Sequence, residues 1–185
     1  MTVTRRAELR PGLPGPLIVT GLPGAGKSTV SRLIAERMAR SARVSGDDLN
    51  EMIVNGRVWA LGEPAEEAAR QVLLCSRLLC AVAGEFADAK FTPVIDHVIA
   101  TRELLQLMVG LLAPRPVLFV VLAPGVEACR RRNSAWLPEE WVDYDDAALD
   151  AALRREFTGT GWWFDTSALT ADWIVRDAGH LARVG

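Results

Sequence analysis

Short apolar runs alternate with longer amphipathic stretches along almost the whole chain. Leu17-Ile18-Val19-Thr20 reads as a buried strand, and behind it Val30, Leu33, Ile34 and Met38 recur at helical spacing. Ala42-Arg43-Val44-Ser45 and Pro93-Val94-Ile95-Asp96 predict a second and a third strand. Val117 to Leu122, apolar at every position and rich in β-branched residues, predicts a fourth, and Trp162-Trp163-Phe164 a fifth. Glu63 to Ala83 predicts a long helix with Ala69, Val72, Leu73, Ser76, Leu79, Cys80 and Ala83 on its core face, Pro64 in its first turn and Gly84 near its end. Thr101 to Leu112, capped by Thr101, predicts another, and Val126 to Asn133, Asp145 to Phe157 and Ala171 to Val184 predict three more. Helices alternating with short strands predict an α/β domain: a mainly parallel five-stranded sheet covered on both faces, three layers in all.

The link between the first strand and its helix is Gly21-Leu22-Pro23-Gly24-Ala25-Gly26-Lys27-Ser28-Thr29, which fits G-x-x-x-x-G-K-[ST] at each fixed position. A phosphate chain carries several negative charges that must be held without water. Glycines let the backbone curl so that consecutive N–H groups point inward, some of them at positive φ. The helix N-terminus adds unpaired donors and the positive end of its dipole. Lys27 is placed to reach the β- and γ-phosphates, and the Ser28 hydroxyl to ligate Mg²⁺. The only other lysine is Lys90, whereas arginine is abundant, so a compact ammonium is wanted at this spot.

Further candidates fall at the expected carboxyl ends of strands, the ligand edge of an open α/β sheet. Asp47 and Asp48 follow the second strand; they are placed for chemistry or for a solvated turn or helix cap, one capping while the other works being a third arrangement. Asp96 ends the third strand, at a position that holds Mg²⁺ directly or through water, the alternative being a plain edge turn. His97 follows it and is taken as structural. Arg130, Arg131 and Arg132 offer a clamp for the charge that phosphoryl transfer develops, although consecutive helical residues fan out and only one or two can face the phosphates. Residues from Ser134 to Asp143, with Trp136 and Trp141, show no clear period and predict a cover over the site, a lid of approximately 130–143. Trp59, Trp136 and Trp141 form either an aromatic wall for an acceptor or ordinary packing.

The whole chain, 185 residues, has the size of a single domain, with residues 1–16 a proline- and glycine-broken lead-in. A formal net charge of −2 gives no general pull toward nucleic acid. Cys75, Cys80 and Cys129 are odd in number and lack metal-ligand spacing, which predicts buried free thiols in a reducing compartment. No apolar run reaches membrane-spanning length and no signal peptide is recognisable, so no membrane partner and a cytoplasmic location are expected.

On Gly21–Thr29, Ser45-Gly46-Asp47-Asp48-Leu49 and Val94-Ile95-Asp96-His97-Val98 the chain resembles the small P-loop kinases, the group that includes chloramphenicol phosphotransferase, zeta toxins and the polynucleotide kinase domain. The resemblance runs from Leu17 to about Val184. It implies a three-layer P-loop NTPase fold of the nucleoside monophosphate kinase type with a lid, and transfer of the γ-phosphate of ATP, with Mg²⁺, to a small-molecule hydroxyl. By position Asp47 resembles the family's general base, with Asp48 close behind as a substrate contact beside Trp59 and Trp136; Lys27 and Arg130 complete the implied catalytic set. Asn50 stands about where the polynucleotide kinases have an arginine, so nucleic acid is not the expected partner. Chloramphenicol phosphotransferase has an aspartate where His97 falls, so its antibiotic specificity does not carry over. The guanine-specifying N-K-x-D motif is absent, which favours ATP. A nucleic-acid 5′-end kinase and a non-catalytic nucleotide-binding module are the alternatives.

Overall fold

In the computed structural model, which describes residues 12–133 and 145–167, five parallel strands lie in the order β2-β3-β1-β4-β5. They are β1 (Leu17–Gly21), β2 (Ser41–Ser45), β3 (Thr92–Asp96), β4 (Leu118–Leu122) and β5 (Trp162–Phe164). The helices between them are α1 (Lys27–Glu36), α2 (Gly46–Glu51), α3 (Ala65–Asp88), α4 (Arg102–Leu112), α5 (Val126–Asn133) and α6 (Asp146–Phe157). Every residue of β1 and of β3 is buried. Side chains alternate between the two faces of a strand, so burial at each position means that both faces are covered.

The register sets β1 centrally: Leu17 to Val19 pair with Val94 to Asp96 on one side, and Leu17 to Gly21 with Leu118 to Leu122 on the other. Ser45 of β2 lies opposite Asp96. Because all strands run the same way, the glycine loop after β1, Gly46-Asp47 after β2 and Asp96-His97 at the end of β3 come out on one edge.

The elements follow the apolar pattern closely, with three corrections. α3 runs past Gly84 to Asp88; a glycine inside a helix costs only about 1 kcal/mol, and packing of Leu79, Cys80 and Ala83 carries the helix through. Its inner face keeps Ser76, Leu79, Cys80 and Ala83 of the expected stripe, with Val72 packed against the core, but adds Ala68, Gln71 and Cys75, whereas Ala69 and Leu73 are exposed. Gly46 to Glu51 is helix rather than turn. There the cap is Ser45, whose Oγ accepts a hydrogen bond from the Asp48 amide at 3.5 Å, so neither aspartate caps. The expected helix from Ala171 to Val184 lies outside the described residues, as does most of the lead-in.

Candidate active site

The glycine loop takes the shape its sequence predicts. Gly24 and Gly26 have φ of +74° and +95°, a region costly for residues with a side chain. Space is also closed at Gly24, where a Cβ would lie 2.5 Å from the Cys129 carbonyl oxygen. Gly26 is the N-cap of α1 and makes no side-chain cap, which leaves the amides of the first turn open to an anion. Lys27 Nζ donates to the Leu22 carbonyl at 3.0 Å, so the side chain curls back across the loop. Burial lowers the Lys27 ammonium below the usual lysine value, while Asp47 and then Asp96 act to raise it.

Asp96 is only 2% exposed and is held before any ligand arrives. Its Oδ2 accepts from Arg43 Nε at 2.7 Å and from Ser31 Oγ at 2.8 Å. Its Oδ1 accepts from Ser28 Oγ and Arg43 Nη2, both at 3.4 Å. Arg43 also lies 3.6 Å from Asp48 Oδ2, which pairs Asp48 with a cation at the surface. The Ser28 hydroxyl and one carboxylate oxygen therefore face each other at a distance suited to a shared cation. Among the described residues no cluster of three or more His, Cys, Asp and Glu is placed to hold a metal. That donor set fits Mg²⁺, which keeps several waters and takes one or two protein oxygens together with phosphate.

Asp47 is exposed in the first turn of α2 and lines a cavity of about 860 Å³ that also takes in Asn50, Val58, Trp59, Leu73 and His97. Gln71 of α3 shapes one wall: its Oε1 accepts from the Val58 amide at 2.8 Å and its Nε2 donates to the Gly56 carbonyl at 2.7 Å. Trp59 is 42% exposed, with the Arg57 guanidinium 4.6 Å above its ring. Asp48 does not line this cavity. Trp136, Trp141 and the expected cover from 134 onward lie outside the described residues, and positions 130–133 of the expected lid are the end of α5.

The three arginines of α5 part company. Arg130 is held by carboxylates, Nε at 3.3 Å from Asp146 and Nη1 at 3.5 Å from Glu127. Arg132 instead lies against the glycine loop, with Nη1 at 3.4 Å from the Gly24 and Ala25 carbonyls and Nη2 donating to the Thr166 carbonyl at 2.7 Å. Thr166 Oγ1 donates to the Ala25 carbonyl at 3.2 Å. The turn after β5 is thus tied to the loop through Arg132, which touches the phosphate-binding machinery.

Arg43 and Gln71 are the residues that sequence reasoning passed over, whereas His97 was taken as structural. Arg43 had a faint signal, one charge inside a short strand of small and apolar residues. His97 is 9% exposed, and its Nε2 has no hydrogen-bond partner among the described residues. Burial, helped by Lys27 and opposed by Asp96, lowers its imidazole to about 4, so it is neutral at pH 7.

Comparison with known proteins bears on the fold. A family model described as "AAA domain" matches residues 17–157, three quarters of the chain. The chain belongs to the AAA domain family. In this member of the AAA domain family the fold is that of the P-loop kinases, as its structural neighbours show. The adenosine phosphosulfate kinase of Mycobacterium tuberculosis, solved with AMPPNP and APS, superposes with a TM-score of 0.64 at 19% identity, covering 94% of this chain and 99% of that one. A gluconokinase from Sinorhizobium meliloti gives 0.60 at 20% identity, covering 93% and 95%. The shikimate kinase of Acinetobacter baumannii, solved with shikimate, gives 0.62 at 18% identity, covering 91% and 92%. A curated relative, a UPF0200 protein of Aeropyrum pernix, is 41% identical over 54 residues, a match that spans 29% of each chain. Among the described residues no helix is long and apolar enough to cross a membrane.

Proposed function

We propose that this chain is an ATP-dependent phosphotransferase that moves the γ-phosphoryl group to a hydroxyl of a small molecule. The observation that carries the reading is the meeting, on one sheet edge, of the glycine loop, the Ser28–Asp96 pair and an exposed Asp47 facing a roomy cavity. The kinase neighbours support it.

In this reading the loop amides and Lys27 hold the phosphates of ATP. The acceptor lies in the cavity, and its hydroxyl loses a proton to the Asp47 carboxylate. A bond forms from that oxygen to the γ-phosphorus, and the bond from the γ-phosphorus to the bridging oxygen breaks, so ADP leaves with the electron pair. Ser28 and Asp96 are the residues that would hold Mg²⁺, which when bound neutralises charge on the β- and γ-phosphates. Arg132 braces the loop, and Arg130 stays with its carboxylates.

The test is incubation with labelled ATP and pooled hydroxyl-bearing metabolites, followed by mass analysis. Asp47→Ala should lower transfer by about 10²–10⁴-fold, the usual worth of a positioned base, while leaving nucleotide affinity unchanged. Full turnover in that variant would remove the base assignment. Lys27→Ala should lose binding and transfer together.

A further inference from the structure

We propose, resting on the nucleotide-holding role given to the glycine loop above, that Thr166 and Arg132 are positioning residues for that loop. Together they turn the Ala25–Gly26 peptide so that the Gly26 amide faces the phosphates, without touching the nucleotide themselves. Three observations carry this.

The first is a shared grip on one carbonyl. Thr166 Oγ1 donates to the Ala25 oxygen at 3.2 Å, and Arg132 Nη1 donates to that oxygen and to the Gly24 carbonyl, both at 3.4 Å. The Ala25–Gly26 peptide is trans, and in a planar trans peptide the carbonyl and the following N–H point in opposite directions. Holding the Ala25 oxygen toward α5 and the β5 turn therefore aims the Gly26 N–H the other way, into the cradle. The Ala25 amide is already engaged, donating to the Leu22 carbonyl at 3.0 Å. Gly26, the N-cap of α1, follows it as the next donor the loop can offer an anion.

The second is that the grip is itself held. Thr166 is buried, and Arg132 donates to its carbonyl from Nη2 at 2.7 Å and to its hydroxyl from Nη1 at 3.4 Å. The hydroxyl thus receives from a guanidinium and donates to a carbonyl, a chain in which each bond polarises the next. The turn that carries Thr166 is moored on both sides. The Ala123 amide donates to the Phe164 carbonyl at 2.8 Å, and the Gly125 amide to Ser167 Oγ at 3.1 Å.

The third is the closeness of α5 to the loop. A Cβ at Gly24 would lie 2.5 Å from the Cys129 carbonyl oxygen and 2.8 Å from Asn133 Oδ1. Arg132 is half-buried at this contact, and its acceptors there are oxygens of the loop and of Thr166. Its charge is applied to the back of the cradle, where it orients and polarises a peptide.

The experiment uses the full chain and follows the Gly26 amide by proton–nitrogen NMR while Mg·ADP or Mg·AMPPNP is added. In the native chain the Gly26 proton should move downfield with either nucleotide, the mark of a charge-assisted hydrogen bond. Thr166→Val keeps the shape and removes the hydroxyl. It should cut that displacement by at least half and weaken both nucleotides about fivefold to tenfold, the worth of one hydrogen bond. Thr166→Ser should keep the displacement and the affinity. Arg132→Met should behave like Thr166→Val, and the double variant should lose less than the two single losses combined, because both act through one carbonyl. An unmoved Gly26 amide in the native chain, or a full displacement in Thr166→Val however far its melting temperature falls, would overturn the proposal. So would a loss in Arg132→Met confined to Mg·AMPPNP, which would put that arginine on the γ-phosphate. Should Arg132→Met fail to fold, the valine and serine variants at Thr166 decide alone. Failure of the native chain to bind Mg·ADP sinks the kinase reading, whereas binding without these changes sinks this inference only.

Discussion

Asp96 is satisfied on both oxygens by Arg43, Ser31 and Ser28, so its charge is fixed in place by the fold. Breaking a buried pair from one side leaves an uncompensated charge, which costs about 3–5 kcal/mol. Arg43→Ala should therefore destabilise the protein by roughly that amount in urea titration, and adding Asp96→Ala should recover a good part of it. A loss no larger than for an ordinary surface arginine, under about 1 kcal/mol, would show the pair to be ornamental. The acid was legible from an apolar strand that ends in Asp, but its partner was not. The adjacency of β2 and β3 is a fact of sheet order, and no local pattern states it. His97, read as structural, is packed on Gly46, a contact that no local pattern states. The thiols were legible. Cys75, Cys80 and Cys129 are buried, and burial raises each to about 11. A thiol whose pKa is raised on folding contributes stability below its unfolded value, near 9, and that contribution is lost as pH climbs toward 11. Stability should therefore fall across that window, and at pH 8 a disulfide reagent should label the native protein far more slowly than the urea-unfolded chain. Rapid labelling of all three in the native state would contradict their burial.

At the level of elements, the glycine loop and α2 matter most. The loop was read correctly because its geometry is encoded residue by residue, in positive-φ positions that glycine tolerates. Gly24→Ala meets both a strained φ and the Cys129 carbonyl. Nucleotide affinity should fall at least tenfold, a strain of about 1–3 kcal/mol being enough, with α1 and the sheet intact by circular dichroism. Unchanged affinity would mean that the loop binds in some other shape. α2 was only half legible. A serine followed by two aspartates spells a helix start, but the choice of Ser45 as cap leaves both acids in the first turn, where the dipole favours their charge. The face of α3 was legible in its second half, where Ser76, Leu79, Cys80 and Ala83 are buried, but not in its first turns, where apolar residues border the cavity instead. Ala69 and Leu73 are two of these.

For the whole molecule, parallel strand order is what turns separate motifs into one site. Each candidate lies at the carboxyl end of a different strand, and the order β2-β3-β1-β4-β5 brings the second, third and first of those ends side by side. The α/β class was legible from alternation alone, and the order was not. A ligand at a hundred times its dissociation constant stabilises by about 2.7 kcal/mol, so Mg·AMPPNP should raise the melting temperature by roughly 5–10 °C for a chain of this size. The most direct measurement follows phosphoryl transfer from labelled ATP to a pool of small alcohols, alongside calorimetric binding of Mg·AMPPNP, in the native chain and in Asp47→Ala. A phosphorylated alcohol from the native chain, and none from a variant that binds the nucleotide equally well, is the predicted result. Undiminished transfer by the variant, or no uptake of nucleotide by the native chain, would contradict it.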